Sequence, residues 1–179
     1  MDLGISGRNA LVCASSRGLG KGCAMSLAMN GANVVVNGRD EAVTLATAAE
    51  ISAVTDVSVT PVIADVSTKE GQAALLAACP EPDILVNNNG GPPFRDFRDL
   101  SREDMLQGVT MNFATPIELV QAVIDPMVAQ GFGRIVNITS VSVMRPVFGL
   151  DLSSGARAGL TAFLAGVARS VAQHNVTIN

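Results

Sequence analysis

The sequence predicts one α/β domain in which a parallel sheet is doubly wound, with helices covering both faces. Two observations support this prediction. Short apolar strand patterns alternate with longer helical patterns along the chain, and most strand patterns are continuous runs of Val, Ile and Leu, which are typical of strands buried on both faces. The length of 179 residues fits one domain of about 100–200 residues, so we expect residues 1–179 to form a single domain.

Strands and helices can be assigned in order from these patterns. The predicted strands are Asn9–Ala14, Asn33–Asn37, Val57–Ala64, Ile84–Asn87 and Arg134–Thr139. The predicted helices are Gly18–Met29, Glu41–Val54, Thr68–Ala78, Arg102–Gln130 and Ser154–Gln173, each of about the length that a parallel crossover needs. A further β-type run covers Val176–Asn179, where the sequence stops, so we expect a sheet that lacks its C-terminal strands.

Residue types that begin and end helices support these assignments. Asn30 and Gly31 follow the first helix as a left-handed stop, and Asp40 can cap the second. Ser101 precedes acidic residues at the start of the fourth helix, where they complement the helix dipole. Glycines and prolines between Asn88 and Asp96 predict a loop.

Composition and charge argue against several classes of function. The 12 Lys and Arg residues against 16 Asp and Glu give a net charge of −4, and no basic run could neutralise a nucleic-acid backbone. No apolar stretch reaches the roughly 18 residues that span a bilayer, and the first residues lack the pattern of a secretory signal, so we expect a cytoplasmic protein. Cys13, Cys23 and Cys79 lack metal-ligand spacing, so we interpret them as buried apolar residues and expect no metal site.

A glycine-containing turn follows the first strand at residues 13–20, and the first helix begins at its glycines. Glycine lets the backbone approach an anion closely, and the free N–H groups and dipole of a helix N-terminus attract negative charge. This turn is therefore a candidate site for a dinucleotide pyrophosphate. The stricter G-x-G-x-x-G pattern is absent, and a simple strand-to-helix turn is the alternative.

Two arginines favour a phosphorylated cofactor at this turn. Arg39 lies 19 positions after Gly20, where an acidic residue would bind a free ribose 2′-hydroxyl. An arginine there offers a planar fork of donors for a 2′-phosphate, and Arg17 can add a second positive charge. The pair favours NADP(H) over NAD(H). The alternative is that both arginines are ordinary solvated surface residues.

Taken together, these segments resemble the short-chain dehydrogenase/reductase family over essentially the whole chain, especially members similar to 3-oxoacyl-[acyl-carrier-protein] reductases. The family's T-G-x-x-x-G-x-G turn is similar to residues 13–20, with Ala14 in place of the first glycine. The resemblance implies a Rossmann-type fold that binds a dinucleotide. In the turn, the cofactor-binding residues are then Ala14, Ser16, Arg17, Gly18, Leu19 and Gly20.

The resemblance implies further cofactor contacts at two later strand ends. Asp65, followed by Val66, matches the family's aspartate that contacts adenine. The segment Asn87–Gly90 matches the family's N-N-A-G, which adds Asn88, Asn89 and Gly90 to the cofactor set. A plain turn that ends a strand is the alternative for this segment, because Asn and Gly readily adopt left-handed conformations.

The resemblance also maps a catalytic Asn onto Asn112 and a catalytic Ser, which orients the substrate carbonyl in the family, onto Ser140. Alternatively, Ser140 is a hydroxyl that satisfies local backbone, and Asn112 is a helix amide that bonds a nearby carbonyl.

The family pattern breaks at its Y-x-x-x-K motif. The tyrosine position, 13 residues beyond Ser140, holds Ser153, and the lysine position holds Arg157. The chain contains no tyrosine. Residues four apart project from one helix face, so Ser153 and Arg157 can still lie together, with Arg157 also within reach of the cofactor ribose. A serine hydroxyl is a much weaker acid than a phenol, whose pKa is about 10.

Three other residues of the chain, and a tyrosine outside it, are candidates to replace the missing acid. Asp151 lies two residues before Ser153, and Arg145 could stabilise an oxyanion. The single histidine, His174, falls near the end of the last helix, where a positive imidazolium suits the helix dipole better than it suits catalysis. A tyrosine from sequence beyond Asn179 is a further alternative.

The sequence thus predicts an NADP(H)-dependent oxidoreductase that acts on a small-molecule carbonyl or alcohol, including 3-oxoacyl-like compounds, with Asn112, Ser140, Ser153 and Arg157 as its catalytic set. The alternative is a catalytically impaired dinucleotide-binding protein with a regulatory or assembly role. The resemblance implies a homodimer or homotetramer that packs through the long helices flanking the serine strand.

Overall fold

The fold alternates six strands with six α-helices in a computed structural model that describes residues 2–179. The strands are β1 (Asn9–Val12), β2 (Asn33–Gly38), β3 (Val59–Ile63), β4 (Ile84–Asn87), β5 (Gly133–Asn137) and β6 (Val176–Ile178). The helices are α1 (Gly18–Met29), α2 (Glu41–Ser52), α3 (Lys69–Ala78), α4 (Arg102–Val109), α5 (Thr115–Gln130) and α6 (Asp151–Val171).

All strand pairs are parallel, and the strand order is β3-β2-β1-β4-β5-β6. The chain therefore builds outward from β1 to β3 and then returns past β1 to build β4, β5 and β6. In such a sheet the strand order reverses between β1 and β4, and ligands bind in the crevice beyond the carboxyl ends of the strands. The predicted Rossmann-type α/β class is confirmed.

Two apolar clusters, one on each face of the sheet, hold the helices in place. On one face the buried strand residues Leu11, Leu85 and Ile135 pack with residues of α3, α5 and α6. On the other face Val12 and Val36 pack with residues of α1 and α2. Burial on both faces explains the continuous apolar strand runs in the sequence.

Most predicted boundaries lie within a few residues of the observed ones. The predicted caps are confirmed at Asp40, which accepts from the Val43 backbone N–H, and at Ser101, which forms a capping box with Asp104. Gly31 adopts the left-handed stop, with φ of +88°. The first predicted strand extends too far, because Ala14 turns left-handed two residues after β1 ends.

The single long helix predicted for Arg102–Gln130 is wrong. A π-helical segment, Thr110–Ala114, separates α4 from α5, and the Thr115 N–H reaches back five residues to the Thr110 carbonyl. Proline explains the interruption: Pro116 has no N–H to donate to the carbonyl four residues earlier, which belongs to Asn112. Single π turns of this kind often occur at functional sites.

One buried side chain connects β2 and the end of β3 to the turn after β1. The Asn37 side chain accepts from the Ala14 N–H at 2.9 Å and donates to the Val62 and Ala64 carbonyls at 3.2 and 3.0 Å. The Asn37 backbone carbonyl also accepts hydrogen bonds from the backbone N–H groups of residues 15 and 16. Asn37 is 1% exposed, so water cannot replace these bonds.

Replacing Asn37 with Leu should therefore cost about 3–5 kcal/mol of unfolding free energy, because buried backbone groups lose their partners. Urea denaturation monitored by circular dichroism measures this loss. Asn33→Leu is the matched control, since Asn33 begins the same strand with a partly exposed side chain whose two bonds lie near solvent. Equal losses in the two variants would contradict the assigned role.

Candidate active site

A cleft of about 610 Å³ opens at the carboxyl ends of β1 to β4. Its lining residues are Ala14, Ser16, Arg17, Asn37, Gly38, Arg39, Asp40, Ala64, Asp65, Val66, Asn88, Asn89 and Gly90. Nine of the residues predicted to bind the cofactor therefore lie around one cavity. Gly18, Leu19 and Gly20 form the first turn of α1 beside it, and Arg157 lies outside its lining.

The turn after β1 leaves the N-terminus of α1 free to meet an anion. Helix α1 has no side-chain cap at Arg17 and no acidic residue in its first turn, whereas α2, α3 and α4 all have side-chain caps. Its first N–H groups and the positive end of its dipole are thus uncompensated. This arrangement suits the pyrophosphate of a dinucleotide.

Close backbone contacts fix the shape of this turn. The Asn88 side chain donates to the Ala14 carbonyl at 3.0 Å. A Cβ added at Gly20 would lie 2.4 Å from the same carbonyl oxygen, so only glycine fits there. Gly18 adopts a φ of +59°, which glycine tolerates without strain. These contacts give physical reasons for both retained glycines.

Ala14 itself is strained, because its φ of +42° lies in the left-handed region. The left-handed conformation raises the free energy of an alanine by roughly 1–2 kcal/mol, whereas glycine adopts it without this penalty. The position corresponds to the first glycine of the resembled turn. This chain thus carries an alanine in a left-handed conformation where the resembled turn has a glycine.

The two arginines of the cleft are exposed and weakly paired. The Arg39 guanidinium lies 3.6 Å from the Asp65 carboxylate, and that of Arg17 lies 3.8 Å from Asp40. Their side chains are 74% and 70% exposed, and ion pairs of this kind contribute about 0–1 kcal/mol. A phosphate dianion can compete for both arginines.

Asp65 remains ionised at the floor of the cleft. Burial alone would raise the pKa of its carboxyl, but hydrogen bonds from the Ser67 hydroxyl and backbone N–H, together with the Arg39 guanidinium, outweigh burial and hold that pKa below its usual value. A carboxylate that accepts hydrogen bonds is suited to orient a neighbouring amino group.

Ser140 follows β5 and caps a short 3-10 turn, Val141–Val143. Its hydroxyl oxygen accepts from the Ser142 backbone N–H at 3.1 Å and lies 2.9 Å from the Ser142 hydroxyl. Ser142 is buried and was not singled out in the sequence, although the S-x-S spacing is typical of such a turn. The Ser140 oxygen thus satisfies a local backbone N–H, which is the alternative given above for this residue. Its own O–H remains available to donate outside the turn.

Ser153 and Arg157 lie together on α6, as the spacing predicts. The Arg157 Nε donates to the Ser153 hydroxyl at 3.2 Å, and Nη1 donates to the Ile138 carbonyl at the end of β5. Arg157 is only 8% exposed, and burial lowers the pKa of its guanidinium from the usual value. Arginine still keeps its proton at neutral pH, so the site holds a buried positive charge.

A second, smaller cavity of about 20 Å³ contains Arg157 and Asn112. Asn88 and Asn89 line both this cavity and the larger cleft, which places the two side by side. Within residues 2–179, the Asn112 side chain has one hydrogen bond, a long one of 3.4 Å from Nδ2 to the Gly108 carbonyl. The structure therefore brings Asn112 and Arg157 next to the predicted cofactor cleft.

The other acid candidates lie apart from both cavities. Asp151, Arg145 and His174 are exposed, and none lines either cavity. In the part of the chain that the structure describes, the groups around the two cavities that carry charge are Arg17, Arg39, Asp40, Asp65 and Arg157. The arrangement can hold anions and stabilise negative charge, but it contains no phenol.

A prediction follows from the strain at Ala14. Ala14→Gly should raise the unfolding free energy by about 1 kcal/mol, because glycine adopts the left-handed conformation without a Cβ clash. Chemical denaturation measures the change. The same substitution at Ala46, an exposed position inside α2, is the control and should lower stability by about 1 kcal/mol. A lower unfolding free energy in both variants would contradict the strain assigned to Ala14.

The cysteines do not form a site. Cys13 and Cys79 are buried, and burial raises the pKa of their thiols to about 12 and about 11. Cys23 is partly exposed, so the prediction that it is buried holds only in part. Across residues 2–179, no His, Cys, Asp and Glu side chains cluster as metal ligands, and no helix is long and apolar enough to cross a membrane.

Comparison with known proteins identifies relatives. A short chain dehydrogenase profile matches residues 8–179. A 3-oxoacyl-[acyl-carrier-protein] reductase of Synechocystis sp. is 33% identical over 184 aligned positions, which cover 95% of this chain and 70% of that protein. The structure of L-sorbose reductase from Gluconobacter frateurii, complexed with NADPH and L-sorbose, superposes with a TM-score of 0.92 at 27% identity, covering 98% of this chain and 68% of that one.

Proposed function

The chain belongs to the short-chain dehydrogenase family, and from that premise we propose that it is an NADP(H)-dependent oxidoreductase acting on a carbonyl or alcohol. One observation carries the proposal: an uncapped helix N-terminus and two weakly paired arginines line the same cleft. The reductase relatives, and solved neighbours complexed with NADPH or NADP, support the same cofactor class.

Different residues of the cleft would bind different parts of the cofactor. The N-terminus of α1 would hold the pyrophosphate, Arg17 and Arg39 would hold a 2′-phosphate, and Asp65 with Val66 would contact the adenine. Asn88, Asn89 and Gly90 would lie along the nicotinamide half, with Arg157 behind them. When bound, the cofactor would supply or accept a hydride.

The catalytic set would act mainly through positioning and charge. Ser140 would orient the substrate oxygen with its outward O–H, and Arg157 would stabilise negative charge that develops there. Ser153 would support Arg157 through the hydrogen bond to Nε. Because no phenol donates a proton, water would protonate the product oxygen, and the missing general acid would slow turnover by about 10²–10⁴-fold.

The names of the relatives favour a 3-oxoacyl-like substrate. Relatives named 3-oxoacyl-[acyl-carrier-protein] reductase and acetoacetyl-CoA reductase share 30–36% identity with this chain. Two exposed phenylalanines offer an apolar surface for an acyl chain: Phe94, which follows Gly90 in the loop after β4, and Phe148 pack edge to face, with ring centroids 6.4 Å apart. A homodimer or homotetramer, testable by analytical ultracentrifugation, remains part of this proposal.

The second candidate is a dinucleotide-binding protein without turnover, and the Ser153–Arg157 pair favours it directly. Loss of NADPH absorbance at 340 nm across a panel of 3-oxoacyl thioesters, ketones and sugars tests the two candidates. Oxidation of NADPH with any of these substrates supports the oxidoreductase. Tight NADPH binding by calorimetry without turnover supports the second candidate, and absence of binding refutes both.

Arg39→Ala should raise the Kd for NADPH by about 10–100-fold and leave that for NADH nearly unchanged, because only NADPH carries the 2′-phosphate. Isothermal titration calorimetry measures both constants. Arg98→Ala is the control, since Arg98 is 71% exposed and also pairs with a carboxylate, that of Asp96. An equal effect on NADH would exclude 2′-phosphate recognition.

The double variant Ser153→Tyr, Arg157→Lys should increase the rate of NADPH oxidation by about 10²–10⁴-fold, because it restores a phenol beside an ammonium. Steady-state kinetics on the best substrate of the panel measures the gain. The control is Ser154→Tyr with Arg157→Lys, which turns the phenol to another side of the helix. A double variant that binds NADPH but gains no activity would count against a reductase scaffold.

A further inference from the structure

Two buried polar atoms beside Arg157 have no hydrogen-bond partner. Asn87 and Thr115 are 4% and 2% exposed, and among residues 2–179 nothing bonds Asn87 Oδ1 or Thr115 Oγ1. Both residues line the small cavity of about 20 Å³ that contains Arg157. Buried polar groups in native proteins nearly always have a partner in protein or ordered water, so these atoms point to an occupant of that cavity.

The orientation of the Asn87 amide is fixed by its neighbours. Its Nδ2 donates to the Asn137 Oδ1 at 2.9 Å and to the Pro116 carbonyl at 3.3 Å. The Asn137 amide is fixed in turn, because its Nδ2 donates to the Asn179 carbonyl at 3.0 Å. A flipped Asn87 would set its oxygen against two acceptors. Asn87 Oδ1 therefore needs a donor from the cavity.

Chemistry and size select the occupant. A volume of about 20 Å³ holds about one water molecule. The guanidinium of Arg157 disfavours a cation, and a halide ion has no hydrogen to offer Asn87 Oδ1. Water can donate to Asn87 Oδ1 while it accepts from Thr115 Oγ1 and from a guanidinium N–H of Arg157.

We propose that one ordered water occupies this cavity and links Asn87 of β4 and Thr115 of α5 to Arg157 of α6. Arginine has five N–H donors, and the protein provides partners for two nitrogens, Nε and Nη1. The water supplies a further partner and adds a third restraint on the guanidinium. Thr115 and Asn87 are thus positioning residues that act through Arg157.

The consequence for the cofactor rests on the proposed function. Asn88 and Asn89 separate this cavity from the larger cleft, so the orientation of Arg157 determines which of its donors face that cleft. Losing the water would leave Arg157 held only by its bonds to Ser153 and Ile138, so the position of its guanidinium would be less restricted. Cofactor binding would weaken without a change at any residue that lines the cleft.

A crystal structure of the unliganded protein near 1.5 Å resolution tests the water directly. The expected result is one ordered water within about 3.2 Å of Asn87 Oδ1, Thr115 Oγ1 and an Arg157 nitrogen. An empty cavity, or a Thr115 hydroxyl bonded to a backbone carbonyl instead, would overturn the proposal. This test requires no cofactor, so it stands apart from the proposed function.

The sign of a stability change provides a second test. Thr115→Val should lower Tm by about 2–4 °C, because it removes a partner of the bound water. In a dry cavity the same substitution would raise Tm, since it would remove an unpaired buried hydroxyl. Thr115→Ser should stay near the wild type. Thr47→Val is the reference for loss of a direct bond, as Thr47 is equally buried and donates to the Ser16 carbonyl at 2.7 Å.

Calorimetry with NADPH tests the positioning role. Thr115→Val should raise the Kd about five- to tenfold, Thr115→Ser should restore it, and Thr115→Val in an Arg157→Lys background should change it less than twofold. An equal effect in both backgrounds would overturn action through Arg157. If wild-type protein binds no NADPH, the proposed function fails, and the crystal and Tm results still decide whether the water is present.

Discussion

The amide of Asn37 is the constraint on which the cleft at the carboxyl ends of β1 to β4 depends. It holds the turn after β1 against the ends of β2 and β3 from inside the sheet. Bonds from outside the turn help to hold it, because it contains a strained left-handed alanine, Ala14. With the turn fixed, α1 begins at Gly18 with its N–H groups free, and the anion site follows from the helix dipole.

The positively charged side chains around the two cavities can bind an anion because none of them forms a strong ion pair within residues 2–179. Arg17 and Arg39 each form an exposed ion pair with a carboxylate, in which solvent weakens the attraction. These pairs keep the two arginine side chains near the cleft. An incoming anion can replace the carboxylates at a small cost in free energy. Arg157 differs: it is buried and bonds neutral oxygens, so its charge is available only to what enters the neighbouring space.

Elements with local signals could be predicted from the sequence, whereas long-range features could not. Continuous Val and Ile runs indicated the parallel strands, and the Asp40 and Ser101 caps marked true helix starts. The π-helical interruption at Asn112 was missed because its cause, Pro116, also suits the first turn of a helix. Asn37 and the Asn87–Thr115 cavity were missed because their partners lie more than twenty residues away and only folding brings them together.

In the active site that we propose, Ser153 and Arg157 stand in place of a tyrosine and a lysine, and this exchange would change the chemistry more than the shape. The smaller cavity is lined by amides, apolar groups and one guanidinium, and none of these releases a proton in the neutral range. The permanent charge of Arg157 can therefore stabilise negative charge in this cavity, but no side chain that lines the cavity can act as a general acid. Electrostatic stabilisation is usually the largest contribution to such reactions and acid catalysis a smaller one, so the hydride transfer that we propose would be slowed but is still chemically feasible.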